Sequence, residues 1–178
     1  MKRFTIAGFS FSAVLLSMTF SLPSFAQAEL EVTWENPKKY TDIRTSNMSR
    51  AKYREQVFED LEAHITELVE DLPEEQKLVI KVSNLDLAGE VFPSSFIGLG
   101  LNGNEIRVIE DMYIPRIEFS YQLLDGTGKV LQENDVKLKD MGFLDRPNRM
   151  FSNERLRYEK NMLSEWFGDE FPSIIARK

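Results

Sequence analysis

His64 is the only histidine in this chain of 178 residues, and there is no cysteine. Those two counts narrow the available chemistry. Neither a Cys/His zinc site nor a thiol nucleophile can be built, and a Ser–His–Asp triad would have to use His64. No serine stands in a nucleophile-elbow pattern to match it. His64 falls three residues after Leu61 and one before Ile65, on the edge of an apolar helical stripe. It therefore reads as a partly buried helix residue, with a general base as the rival reading. Asp86, Asp111, Asp125, Asp135 and Asp140 are spread through strand ends and turns, whereas a calcium loop needs clustered acids around a glycine. Gly98-Leu99-Gly100 lacks the further Gly or the Lys-Ser/Thr of a phosphate-binding loop. Two acids facing a cleft would suffice for glycoside hydrolysis, and 29 acids leave that route open. No catalytic residue, metal or cofactor is assigned.

Three stretches stand out for binding instead. Asp111-Met112-Tyr113-Ile114-Pro115-Arg116 sets an acid, an aromatic, a proline and a base in close succession, and Leu156-Arg157-Tyr158-Glu159-Lys160 gathers charges around one tyrosine. Ion pairing and a strand start at Pro115 are the plain structural reading of both. The third stretch, 88–105, holds four glycines yet also Val91, Phe92, Phe96, Ile97, Leu99 and Leu101. It reads as a long apolar loop, which either folds back to cap the sheet or docks on a partner or a lipid surface. The partner-binding set is accordingly Phe92, Phe96, Ile97 and Leu99 with Asp111, Tyr113, Arg116 and Arg157.

Periodicity supplies the elements that position these residues. Val32 and Trp34 share one face of a short strand over Glu29 to Trp34. Tyr53, Val57, Phe58, Leu61, Ile65, Leu68 and Leu72 make one stripe of a helix from about Ser49, ended by Pro73. Leu78, Ile80 and Val82 alternate, then Leu85 and Leu87 resume one residue out of phase, which predicts a bulge near Ser83-Asn84. Ile106 and Val108 form a short strand. Ile117, Phe119, Tyr121 and Leu123 alternate cleanly, and Asp125-Gly126-Thr127-Gly128 turns the chain into a partner strand over Val130 to Leu138. A last helix is expected from about Asn153 to Phe167, capped by Ser152 or Asn153 and stopped by Gly168. The fold class is α+β: an antiparallel or mixed sheet of four to five strands with two amphipathic helices packed on one face.

The ends and the charge set the address. Lys2 and Arg3, an apolar run from Phe4 to about Leu22, Pro23, and small residues at Ala26 and Ala28 follow the order of an export signal. Residues 1–28 are expected to be removed, leaving 29–178 as one α+β domain without a stable membrane anchor. A lipid anchor would need a cysteine. The net charge of −7 disfavours nucleic acid as a partner. The sequence assigns no oligomeric state.

The chain resembles the bacterial domain-of-unknown-function family numbered 3016, found in exported proteins of Gram-negative bacteria. The resemblance rests on Val32-Thr33-Trp34, Tyr40-Thr41-Asp42-Ile43, Asp86-Leu87-Ala88-Gly89 and Ile106-Arg107-Val108. It continues through Asp111, Tyr113 and Pro115-Arg116-Ile117 to Leu156-Arg157-Tyr158-Glu159-Lys160 and Trp166-Phe167. It implies an envelope location and brings no activity with it. The leading expectation is a non-enzymatic periplasmic binding or accessory protein with an envelope protein as partner. The alternative is a carboxylate-dependent hydrolase acting on cell-wall glycans.

Overall fold

A computed structural model describes residues 27–44, 48–96, 98, 105–147 and 151–172. The expected export signal, residues 1–26 of it, lies outside them. The elements run β1 (Glu29–Trp34), α1 (Arg50–Val69), β2 (Lys77–Asp86), β3 (Glu90–Pro93), β4 (Glu105–Val108), β5 (Arg116–Leu124), β6 (Val130–Lys139) and α2 (Arg157–Glu170). Four strands form one sheet in the order β1-β2-β5-β6, and β3 and β4 pair as a separate two-stranded sheet. The main sheet is mixed, because β1 runs parallel to β2 while β5 and β6 are antiparallel to their neighbours. The α+β class therefore holds.

Alternation decides which face is covered. Leu78, Ile80 and Val82 stand opposite Leu123, Tyr121 and Phe119, and all six are buried. Both helices lay their stripes on this face: Val57, Leu61 and Ile65 from α1 join Met162, Leu163, Trp166 and Phe167 from α2 in one core with the strands. Lys81, Ser120 and Asp135 share the opposite face, which meets water. The bulge falls where the phase slip placed it. Pairing steps from Val82–Phe119 to Asn84–Glu118, so Ser83 is the extra residue. Leu85 returns to the covered face and is buried.

Two expectations are corrected. The stretch 88–105 is not a loop throughout, because Glu90–Pro93 pairs with Glu105–Val108 as a hairpin. Four residues ending in a proline give too short an alternation to read as a strand. The last helix starts at Arg157, not Asn153, and runs through Gly168 to Glu170. Ser152 to Arg155 are all exposed, so no apolar side chain draws that segment into the helix. At the other end Phe167 and Phe171 are both buried, and their burial outweighs the roughly 1 kcal/mol that a mid-helix glycine costs.

His64 is buried and ties the two helices together. Its Nε2 lies 3.1 Å from the Lys160 carbonyl and 2.9 Å from Ser164 Oγ. Among the described residues Nδ1 has no hydrogen-bond partner, and Glu67 stands 3.6 Å away. Burial lowers the imidazole pKa below its ordinary 6.5, with the Lys160 charge adding to this and the Lys160 carbonyl and Glu67 opposing it. Below pH 6.5 the unfolded chain thus takes up a proton that the folded one resists, and stability present above that pH is lost as it falls. Chemical denaturation from about pH 5 to 7.5 should show a steeper acid loss in the native protein than in His64→Gln, which keeps an N–H for Lys160. Parallel curves would remove His64 from the account.

Candidate functional site

The turn from β2 into β3 is the most constrained backbone near the functional candidates. Gly89 has φ +82°, and a Cβ there would crowd the Val108 carbonyl and sit 2.6 Å from Ile109 Cδ1. Only glycine fits. Ala88 just before it is held by both of its main-chain groups: its N–H donates to Glu159 Oε1 at 2.7 Å, and its carbonyl accepts from Arg107 Nη1 at 3.2 Å. The same guanidinium reaches the Gly89 carbonyl at 3.1 Å and Asp42 Oδ2 at 2.8 Å. Its second nitrogen donates to the carbonyls of Asp42 and Arg44. Asp42 is buried and also accepts from Arg44 Nε at 3.0 Å, while Arg44 Nη2 pairs with Glu90 at 2.8 Å. A chain of alternating charges therefore pins the β3–β4 hairpin to the strand-like segment at Asp42 and to α2. Burial pushes the Glu159 carboxyl above its ordinary value, against the pull of the Ala88 N–H and the Arg107 charge.

The hairpin has two faces. Val91 and Arg107 are paired across it and turn the same way, towards the body, with Val91 buried. Phe92 and Ile106 project from the other side. There Phe92 stacks on Phe96 with ring centres 5.6 Å apart and planes 8° from parallel, and Tyr113 lies 5.8 Å from Phe92. Phe96 is 76 % exposed. Asp86, Arg116 and Lys139 are neighbours in register, so β2, β5 and β6 come together at this end of the sheet. Ile109, Met112, Met141 and Leu144, all exposed, belong to the segments that leave it.

The body-facing side borders a cleft of about 370 Å³ between α1, β4 and the arc 152–159. Tyr53, Leu87, Ile109 and Leu156 give it apolar walls, and Arg107, Arg155 and Arg157 also line it. Leu156 adopts a left-handed conformation, φ 56° and ψ 30°. That conformation is strained for leucine, costing roughly 1–2 kcal/mol.

The sequence-predicted residues fall into three groups. Phe92, Phe96 and Tyr113 come together, and Asp111 is exposed on the segment before Tyr113. Arg116 pairs with Asp86 at 2.8 Å, and Arg157 lies over the Tyr158 ring, donating to its hydroxyl and to the Ser152 carbonyl. Ile97 and Leu99 lie outside the described residues. Sequence reasoning missed the pinning residues Asp42, Arg107 and Glu159, whose partners lie far off in sequence. Their presence among the family-like segments was the one signal that could have found them.

Ser164, His64 and Glu67 are spaced like a nucleophile, base and acid, at 2.9 Å and 3.6 Å. The Lys160 carbonyl can only accept, so His64 Nε2 carries its proton and cannot draw one from Ser164. Ser164 Oγ itself donates to that carbonyl at 3.0 Å, in the middle of α2. Helical N–H groups there are engaged along the helix and offer no oxyanion hole. Among the described residues, no group of three or more His, Asp or Glu side chains stands where it could share a metal ion.

A family described as a protein of unknown function, DUF3016, matches residues 28–169. The chain belongs to this family. No curated protein and no solved structure matches it. For a DUF3016 domain, the fold gives a physical reason for the segments quoted above. Gly89 is demanded by φ, Ala88 is gripped by Arg107 and Glu159, and Tyr158 packs edge-on against Phe143 beneath Ala88.

Proposed function

We propose that this chain is an exported, non-enzymatic binding or accessory protein of the cell envelope that docks on an envelope protein through the outer face of the β3–β4 hairpin. The observation that carries the reading is the Phe92–Phe96 stack, with Tyr113 tilted against it, on a hairpin pinned by a partly buried charge network. Apolar surface on a rigid backbone loses little entropy when it binds, and aromatic anchors dominate interface energies. Exposed Met112, Met141 and Leu144 extend the apolar surface at the same end. The address rests on Lys2-Arg3, the apolar run and Ala26-Gln27-Ala28. The acids around the hairpin favour support over hydrolysis, since Asp42, Asp86 and Glu90 are paired with arginines and Glu159 with a backbone N–H.

The test is site-specific photo-crosslinking in living Gram-negative cells, followed by osmotic shock. A photoreactive residue at Phe96 or Met112 should give one discrete adduct with an envelope protein, whereas one at Thr127 in the β5–β6 turn should give none. The uncrosslinked protein should appear in the shock fluid beginning at Glu29. Equal labelling at all three positions, or retention with Met1 in the membrane fraction, would overturn the reading.

A further inference from the structure

We infer that the cleft on the body-facing side of the hairpin is a second binding site, for a small carboxylate carried on an apolar body. This inference is independent of the docking face, which lies across the hairpin. The volume of about 370 Å³ falls within the range of small-molecule sites. Its walls supply the two kinds of contact such a ligand needs. Tyr53, Leu87, Ile109 and Leu156 offer apolar surface to the body, and Arg155 offers a guanidinium to the head beside the engaged Arg107 and Arg157.

Three arginines against two acids line the cleft, although the chain as a whole is acidic. Two acids line it, and both are engaged. Glu154 pairs with Lys160 at 2.5 Å, and Glu159, 2 % exposed, is turned onto the Ala88 N–H. Arg107 is committed to Asp42 and four carbonyls and acts as a fixed positive wall. Arg155 is the exposed member: 53 % exposed, it meets Asp60 at 3.4 Å, a long ion pair that a ligand carboxylate can share. A guanidinium fork matches a carboxylate in two parallel hydrogen bonds. The left-handed Leu156 sits on the cleft wall, and backbone strain held at such a place is a mark of binding sites. Inorganic phosphate has the charge but no body for the apolar walls, so the carboxylate is the better occupant.

The test uses the processed protein from the shock fluid and three probes: N-acetylphenylalanine, its C-terminal amide, and inorganic phosphate. Calorimetry should find the acid binding about tenfold tighter than either of the others. In NMR spectra the acid should shift amides of 152–159 and Ile109. Arg155→Gln should bring the acid down to the affinity of the amide without lowering the melting temperature. Ile109→Asp, which sets a negative charge on another wall, should do the same, and Phe96→Ser should change neither affinity. Equal binding of acid and amide, phosphate as tight as the acid, or no binding of the acid by about 10 mM would overturn the inference. So would an acid preference that survives both cleft substitutions.

Discussion

Arg107→Met is expected to destabilise the fold by about 3–5 kcal/mol, the cost of breaking a buried ion pair by removing one partner. Met fills much of the same space, so the loss is electrostatic. Asp42, 4 % exposed, would keep only Arg44 as an ion-pair partner among the described residues, and the carbonyls of Ala88, Gly89, Asp42 and Arg44 would lose a shared donor. The hairpin would then be tied to Asp42 only by way of Arg44 and Glu90 among the described residues. Lys137→Met is the matched control: its pair with Glu118 spans 3.6 Å on the solvated face, and its removal should cost less than about 1 kcal/mol. Urea melts of the two variants decide the matter. Similar small losses would mean that the network around Asp42 is wet and pins nothing.

Phe119→Ala should cost about 3–5 kcal/mol as a buried aromatic truncation. Phe119 is 3 % exposed and meets Trp166 edge-to-face, ring centres 4.8 Å apart and planes at 84°, so the side chain joins the sheet to α2. Ser120, one residue along, faces the opposite way, and Ser120→Ala should fall within about 0.5 kcal/mol of the native protein. Equal losses from the two would contradict the assignment of covered and wet faces.

That assignment was legible in the sequence because a half-buried strand writes its orientation locally. Ile117, Phe119, Tyr121 and Leu123 alternate with polar neighbours, and the slip between Val82 and Leu85 marks the bulge at Ser83. The stripe of α1 is local in the same sense. The start of α2 was not, because Leu156 in a left-handed conformation replaces the side-chain cap that Ser152 or Asn153 suggested. The hairpin and the network are less legible still. Arg107 and Asp42 are 65 residues apart, and Glu159 and Ala88 are 71 apart. A charged residue that will be buried beside a distant partner looks, in sequence, like any solvated one. Of the aromatic cluster, Phe92 and Phe96 were singled out in one stretch and Tyr113 in another, but that the three meet depends on a strand pairing too short to show a period.

The central claim is that the outer face of the hairpin binds while the inner face holds. Phe96→Ser tests it most directly, because Phe96 is 76 % exposed and stacks on Phe92. The measurement pairs a thermal melt of this variant with the yield of the Met112 photo-adduct in cells. A melting temperature within about 2 °C of the native protein, with the adduct lost, is the result the account predicts. A large fall in melting temperature would make Phe96 part of the core, and an undiminished adduct would show that the face does not bind. Either result would contradict the claim.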